Sequence, residues 1–168
     1  MKASISGTLC NTLVNGEGVR FTVFFQGCSH RCKGCHNPKT WAKKENNRSL
    51  NDLFAEIDYV TPLLDGVTLS GGEPFEQPEA AYEIAKYAKQ SGLNVWAYTG
   101  YTYEELTDLS NPNYSVWNQL LQEIDVLVDG QYVDELHDFR LKWRGSSNQR
   151  VIDIKKTLKT NEIVLLEK

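Results

Sequence analysis

The sequence predicts an α/β fold built around a mostly parallel β-sheet, and three observations support this fold class. Short runs rich in β-branched and aromatic residues recur along the chain, and each ends at a glycine or a polar turn. Segments with apolar residues at helical spacing separate these runs. Strands that alternate with helices form βα units, in which the strands lie parallel in one sheet. This periodicity does not decide whether the sheet is open or partly curved.

The first half of the chain is expected to supply two strands and two helices. Residues 20–26 are apolar and rich in β-forming types, and a glycine ends the run, which is typical of a strand. Ser49 is a suitable N-cap for the helix that follows it. Residues 66–70 predict a second strand, and Pro78 lies where a second helix would begin.

The second half is expected to contain further strands and one more helix. Thr102 and Glu105 have the spacing of a capping box, which opens a helix. The strands are expected over residues 94–98, 124–128, 151–152 and 163–166.

Composition is ordinary for a globular protein. The 168 residues are expected to form a single domain, residues 1–168, with 40% apolar and 24% charged residues. A net charge of −4 argues against a nucleic-acid partner, and no apolar stretch reaches membrane-spanning length. The N-terminus lacks the apolar region of a secretory signal, so the clustered cysteines predict a cytoplasmic protein.

Three cysteines lie close together directly after the first expected strand. Cys28, Cys32 and Cys35 have the spacing C-x3-C-x2-C in one loop. Three thiolates from one loop can hold three corners of an iron–sulfur cube, and the fourth iron then has no protein ligand. The alternative is a zinc site made by the three cysteines with His30 or His36. Structural zinc sites usually draw ligand pairs from two separate elements, and the sequence offers no second pair, so the open cluster is favoured.

The remaining cysteine and the two histidines are not expected to bind the metal. Cys10 lies outside the loop and is interpreted as a small apolar residue that is buried. His30 and His36 are expected to neighbour the ligands without joining them, because the thiolates already satisfy the site. A disulfide framework is not favoured, because a chain of this length does not need covalent staples.

Four loops are expected to meet at one edge of the sheet. The cysteine loop follows the first expected strand, and residues 71–74, Gly-Gly-Glu-Pro, follow the second. Residues 99–101 and 129–130 follow the next two strands. Function collects at the carboxyl ends of parallel strands, so these loops predict one active site. The paired glycines let the backbone approach a ligand closely and adopt positive φ.

The cysteine motif and the later Gly-Gly-Glu-Pro run resemble those of the radical S-adenosylmethionine enzymes. The resemblance implies a partial (βα) barrel of mostly parallel strands, with a [4Fe-4S] cluster held by the three cysteines of the loop. It also implies that S-adenosylmethionine chelates the open iron, with Gly71, Gly72 and Glu73 positioning its methionine end. Many members have an aromatic residue where this chain has Gly34, so adenine contacts are expected from backbone groups or other loops.

A narrower resemblance covers most of the chain. Residues 15–21, 25–28 and 35–38 are similar to those of glycyl-radical-enzyme activases. Gly34, the short chain and residues 143–150, preceded by residues 128–130, are typical of the activases that act on the anaerobic ribonucleoside-triphosphate reductase. The resemblance implies reductive cleavage of S-adenosylmethionine to a 5′-deoxyadenosyl radical, which abstracts a hydrogen atom from a glycine of the reductase. The implied partners are the large subunit of the reductase and a one-electron donor such as flavodoxin or ferredoxin.

Two alternatives to this function stay open at the level of the sequence. Within the same class, the chain would activate another glycyl-radical enzyme, such as pyruvate formate-lyase. In a different class, it would be a zinc-binding adaptor without catalysis. The Gly-Gly-Glu-Pro run argues against the adaptor, because a structural zinc ion needs no ligand cradle.

Four further residues complete the expected cofactor site. Gly34 and His36 lie beside the cysteine ligands, and Tyr98 ends a strand at the rim, where it would touch the adenosyl group. Asp129 ends another strand and would bind a ribose hydroxyl or form a turn. Residues 144–150 are expected to form a surface turn, or else to close the open end of the sheet near the cofactor or dock the reductase.

Overall fold

Seven strands and five helices make up residues 1–166, the part of the chain that the computed structural model describes. The strands are β1 (Lys2–Thr12), β2 (Arg20–Phe25), β3 (Asn47–Ser49), β4 (Gly66–Gly71), β5 (Asn94–Tyr98), β6 (Val126–Asp129) and β7 (Arg150–Asp153). The helices are α1 (Leu50–Val60), α2 (Pro78–Gln90), α3 (Tyr103–Leu106), α4 (Tyr114–Glu123) and α5 (Ile154–Thr160). Short 3-10 helices lie at Pro38–Thr40, Thr61–Leu63, Pro74–Glu76 and Asp134–Leu136. None of the described helices has the length and apolar character needed to cross a lipid bilayer.

The strands form one sheet in the order β3-β1-β2-β4-β5-β6-β7. The pairs β2–β4, β4–β5 and β5–β6 are parallel, so the expected α/β fold with a parallel centre is confirmed. The outer pairs β1–β2, β1–β3 and β6–β7 are antiparallel. Among the described residues β3 and β7 stay at opposite edges, so the partial barrel implied by the resemblance is not confirmed.

Several elements differ from the sequence expectation. β1, β3, α4 and α5 are additional to the expected elements. The strand expected over residues 124–128 begins two residues later, because Ile124 is the C-cap of α4. Ser49 precedes α1 as its N-cap, but its side chain makes no capping hydrogen bond. The strand expected over residues 163–166 is reduced to a single bridge to β7.

The two faces of the sheet are covered differently. The helices pack on one face and bury it in a core whose strand residues include Phe21, Val67, Val95 and Leu127. Side-chain alternation turns Trp96 and Tyr98 to the other face. There Trp96 packs edge-on against Trp143, with ring centroids 4.9 Å apart. This second face is therefore covered by the segment between β6 and β7 rather than by the helical core.

A buried arginine fills the second face near the start of the parallel strands. Arg20 is 0% exposed, and its Nε donates to Thr68 Oγ1 at 2.6 Å. Its terminal nitrogens donate to the main-chain oxygens of Glu17 and Val67 at 2.7 and 2.9 Å. Burial lowers the pKa of Arg20 to about 10, so the side chain stays charged at neutral pH. The guanidinium lies 5.4 Å from the Trp96 ring centroid, which adds a cation–π contact.

Candidate metal and cofactor site

The cysteine loop begins where β2 ends, and backbone hydrogen bonds hold its start on two sides. Cys28 N donates to Trp41 O at 3.2 Å, which ties the loop to the segment that follows it. Glu73 N donates to Gly27 O at 2.9 Å, which ties the loop to the Gly-Gly-Glu-Pro turn after β4. Neighbouring parallel strands thus deliver their following loops to the same edge.

The three cysteines line one small cavity of about 140 Å³. Its other walls come from the loops after β4, β5 and β6 and include Gly71, Gly72, Glu73, Thr99, Gly100 and Gly130. Among residues 1–166, no three His, Cys, Asp or Glu side chains are arranged to hold a single metal ion. The sulfur donors of the cavity are three thiols, a donor set that suits an iron–sulfur cluster with one thiolate on each of three irons.

A second cavity of about 690 Å³ adjoins the first, on the face of the sheet opposite the helical core. The two cavities share Cys35, Ser70, Gly71, Tyr98, Tyr132 and Gln149. The wall of the larger cavity includes Leu13 and Val14 from the connection after β1, and Leu141 and Trp143 from the segment before β7. Small-molecule sites are typically clefts of about 300–1,000 Å³ with mostly apolar walls and a few polar groups. The larger cavity has this size and character.

The Glu73 carboxylate is buried where the loops meet, and it has four partners. Its Oε1 accepts from Phe75 N at 3.0 Å and from Thr99 Oγ1 at 2.9 Å. Its Oε2 accepts from Gly100 N at 2.9 Å and lies 2.9 Å from His30 Nε2. The carboxylate therefore links the turn after β4 to the cysteine loop and to the loop after β5. The main-chain N–H and C=O of Glu73 also have protein partners, in Gly27 O and Glu76 N.

Protein contacts occupy both ring nitrogens of His30. Its Nε2 contacts Glu73, and its Nδ1 lies 3.2 Å from Gln131 Nε2. Burial lowers the pKa of His30, but the hydrogen bond and the charge of Glu73 outweigh it, and the net shift is upward. The ring thus holds the cysteine loop against its neighbours and has no nitrogen free for a metal.

Burial favours the neutral form of two of the thiols in the cavity. Burial raises the pKa of Cys28 to about 11, and burial also raises the pKa of Cys32. Both thiols are therefore protonated at neutral pH when the cavity holds no cation. A metal favours the thiolate form, so its binding would release protons.

Neither glycine of the Gly-Gly-Glu-Pro turn could carry a side chain, and the reason differs between the two positions. Gly71 has φ +89°, and a Cβ there would lie 2.5 Å from the main chain of Phe24 and Phe25. Gly72 does not have the positive φ expected for the pair, but a Cβ there would overlap Gly27 O. Position 72 therefore requires glycine because its backbone packs closely against the start of the cysteine loop.

Three further expected residues lie at or beside the cavities. Gly34 has φ +78° and packs so closely against Asp134 that a Cβ would overlap the carboxylate. His36 is exposed and lines the larger cavity, with its ring centroid 5.5 Å from that of Tyr132. Tyr98 lines both cavities, and its hydroxyl donates to Trp143 O at 2.7 Å.

Asp129 has structural partners instead of a free carboxylate. It is 1% exposed and accepts a hydrogen bond from Tyr103 N at 2.7 Å. Arg150 Nε donates to its Oδ1 at 3.0 Å, and the same guanidinium donates to Glu104 at 2.7 Å. Asp129 therefore anchors β7 and α3 to the end of β6, and the expected contact with a ribose hydroxyl has no free carboxylate oxygen to support it.

The segment 144–150 forms a hydrogen-bonded turn that also contributes to the larger cavity. Gln149 Oε1 accepts from Gly145 N at 2.9 Å, and its Nε2 donates to Gly130 O at 3.0 Å. The cavity wall includes Trp143, Arg144, Gly145 and Gln149. Gln149 and Tyr132 line both cavities. The sequence analysis included Gln149 only as part of the segment 144–150, and nothing in the sequence marks Tyr132.

Cys10 lies on β1 and is exposed, so the expectation that it is buried is wrong. β3 pairs only with the first residues of β1, Lys2 to Ser4. Within residues 1–166, the later part of β1 therefore has no strand on that side. Cys10 also lies outside the cavity that the other three cysteines line.

Known proteins share this arrangement of sequence features. A family model described as a 4Fe-4S single cluster domain matches residues 14–152, which include all three cysteines of the loop. Three relatives carry the name anaerobic ribonucleoside-triphosphate reductase-activating protein. The relative from Vibrio cholerae is 37% identical over 82% of this chain and 89% of its own length. The relative from Escherichia coli K12 is 36% identical over 83% and 91%, and that from phage T4 is 33% identical over 82% and 86%. The chain therefore belongs to the family of anaerobic ribonucleoside-triphosphate reductase-activating proteins.

Proposed function

We propose that this protein activates an anaerobic ribonucleoside-triphosphate reductase by means of a [4Fe-4S] cluster and S-adenosylmethionine. One observation carries the proposal: the cavity lined by Cys28, Cys32 and Cys35 adjoins a cavity of about 690 Å³. Three thiolates leave one iron of a cubane open, and the adjoining space is large enough for a small-molecule cofactor beside that iron. The target protein is taken from the name of the relatives.

The chain's own residues would bind, orient and shield the two groups. When bound, the cluster and S-adenosylmethionine would supply a 5′-deoxyadenosyl radical, which removes a hydrogen atom from a glycine of the reductase. The cysteines would hold three irons, and the backbone of the Gly71–Gly72 turn would receive the amino group of the cofactor. Trp143, Leu13 and Val14 give part of the wall of the larger cavity an apolar surface, against which the cofactor would pack.

The proposal is tested on protein purified and reconstituted without oxygen. Iron and sulfide are each expected at about four per chain, as a cubane demands. Added S-adenosylmethionine should change the spin-resonance signal of the reduced cluster and yield 5′-deoxyadenosine. Mixing with the reductase large subunit should then produce a glycyl-radical signal on that subunit.

Pyruvate formate-lyase serves as the matched partner control in the same assay. A glycyl radical formed on it in place of the reductase would assign the protein to another branch of activases. Colourless protein that contains zinc and cleaves no S-adenosylmethionine would overturn the proposal as a whole.

A further inference from the structure

Positive charge is concentrated around the cysteine loop. Residues 31–44 contain five of the 18 lysine and arginine residues of the chain and none of its 22 aspartate and glutamate residues. These five are Arg31, Lys33, Lys39, Lys43 and Lys44. The segment therefore has a formal charge of +5, although the net charge of the whole chain is −4.

The fold brings the second part of this segment back against the start of the cysteine loop. Gly27 N donates to Thr40 O at 2.7 Å, and Gln26 Nε2 donates to Lys39 O at 3.1 Å. Thr40 and Trp41 lie in the wall of the small cavity. The lysines at 39, 43 and 44 therefore lie within a few residues of the wall that faces the three thiols.

The basic side chains of the segment are available to a partner, since all five residues are exposed. Lys33 lies 3.3 Å from Glu135, and Lys43 lies 3.9 Å from Glu76. No acidic side chain of the described residues lies within 4.0 Å of Arg31, Lys39 or Lys44. Within the described residues, the charges of Arg31, Lys39 and Lys44 are therefore not offset by a neighbouring carboxylate, and they give this surface its positive charge.

We propose that this basic surface, residues 31–44, docks an acidic one-electron donor protein. The inference rests on the proposed function, because the electron that leaves the donor must be gained by a cluster in the small cavity. Electron transfer slows steeply with distance, so the donor must dock close to the wall of that cavity. Opposite charge steers protein association and raises its rate. Leu13 and Val14, which are exposed in the wall of the larger cavity, lie outside residues 31–44 and stay available to the reductase.

The test reverses two of these charges on the reconstituted protein. The test variant carries Lys39→Glu and Lys44→Glu. The main-chain oxygens of residues 39 and 44, which accept hydrogen bonds from Gln26 and Ser4, remain in place. Lys155→Glu with Lys159→Glu, on α5, makes the same change of charge elsewhere on the surface. The measurements are the rate of cluster reduction by reduced flavodoxin, and the Kd of oxidised flavodoxin by calorimetry. Photoreduced 5-deazariboflavin, a small neutral reductant, bypasses protein docking.

At low ionic strength the Lys39/Lys44 variant should be reduced by flavodoxin about tenfold more slowly and bind it about tenfold more weakly. The difference should shrink at about 0.5 M salt, where the charges are screened. With 5-deazariboflavin, the Lys39/Lys44 variant should be reduced as fast as the unsubstituted protein. The Lys155/Lys159 variant should match the unsubstituted protein in both its rate of reduction by flavodoxin and its Kd for flavodoxin.

An unchanged flavodoxin rate at low salt, or an equal loss in the α5 variant, would overturn the docking surface. A slower 5-deazariboflavin reaction would also overturn it, because the substitutions would then act on the cluster itself. Failure of the unsubstituted protein to take up a cluster is a separate result, which counts against the proposed function.

Discussion

The buried carboxylate of Glu73 holds several loops of the site in one arrangement. The two oxygens of a carboxylate can take about four hydrogen-bond partners, which ties those partners to one position. Glu73 has such partners in Phe75, Thr99, Gly100 and His30. The geometry of the loops around Glu73 thus depends on a side chain whose oxygens all have protein partners.

Glu73→Gln should destabilise the apoprotein by about 2–4 kcal/mol, because the amide nitrogen would face a backbone donor and leave buried groups unpaired. Urea denaturation of the metal-free protein measures this change. Glu135→Gln is the matched control, since the Glu135 side chain is 68% exposed, and its effect should stay within about 0.5 kcal/mol. Equal effects of the two substitutions would show that Glu73 does not hold the loops.

Gly72→Ala should lower both the iron content after reconstitution and the affinity for S-adenosylmethionine. The added methyl group would overlap Gly27 O, which displaces the start of the cysteine loop and costs about 1–3 kcal/mol. Gly7→Ala is the control, because a Cβ there has no neighbour within 4 Å. Normal iron and normal cofactor affinity in Gly72→Ala would mean that the loop can move aside without loss.

At the scale of elements, an ion pair between Arg150 and Asp129 reinforces the junction of β6 and β7, whose strands are also paired along their length. Arg150→Ala should destabilise the protein by about 2–4 kcal/mol, because it leaves the buried Asp129 carboxylate without its charged partner. Arg140→Ala removes a similar pair with Asp138, but the Arg140 side chain is 90% exposed. It should cost less than about 1 kcal/mol. Urea midpoints of the two variants provide the comparison, and a similar shift in both would contradict the anchoring role.

The sequence predicts the central elements well and the peripheral ones poorly, for physical reasons. Strands β2, β4, β5 and β6 are apolar runs because they are buried in the centre of the sheet, so their composition marks them. β1 is largely polar after Ile5, so its composition does not mark it as a strand. It forms a strand because it pairs with β2, and a local sequence pattern does not show this pairing. α5 has only seven residues, with Asp153 as its N-cap, and is too short for a clear period.

The site was predictable to the extent that it follows from the ends of strands. The cysteines, the Gly-Gly-Glu-Pro turn and the loop after β5 were placed together from strand order alone. The partners of Asp129 were not predictable, because Arg150 reaches it from 21 residues away. Tyr132 likewise reaches both cavities from an irregular segment, whose path depends on tertiary contacts.

At the scale of the whole molecule, loading the cluster should raise the unfolding temperature of the protein by about 5–10 °C. A group that binds only the folded chain stabilises it by mass action, and three thiolates fix the loop at the edge of the sheet. Cys32→Ala should show no such rise after the same treatment. Cys10→Ala, which removes an exposed thiol of β1, should behave like the unsubstituted protein. Loss of the rise in the Cys10 variant, or its persistence in the Cys32 variant, would contradict the ligand assignment.

The four partners of Glu73 also affect how this scaffold can be redesigned. His30 lies in the cysteine loop, whereas Thr99 and Gly100 lie in the loop after β5. All three form hydrogen bonds with the carboxylate of Glu73. Grafting one of these loops from a relative would therefore fail unless the other loop and the turn after β4 were exchanged with it. Residues such as Leu13 and Val14, which are exposed at the cavity wall, carry no such constraint and are the positions at which a library for new protein substrates should begin.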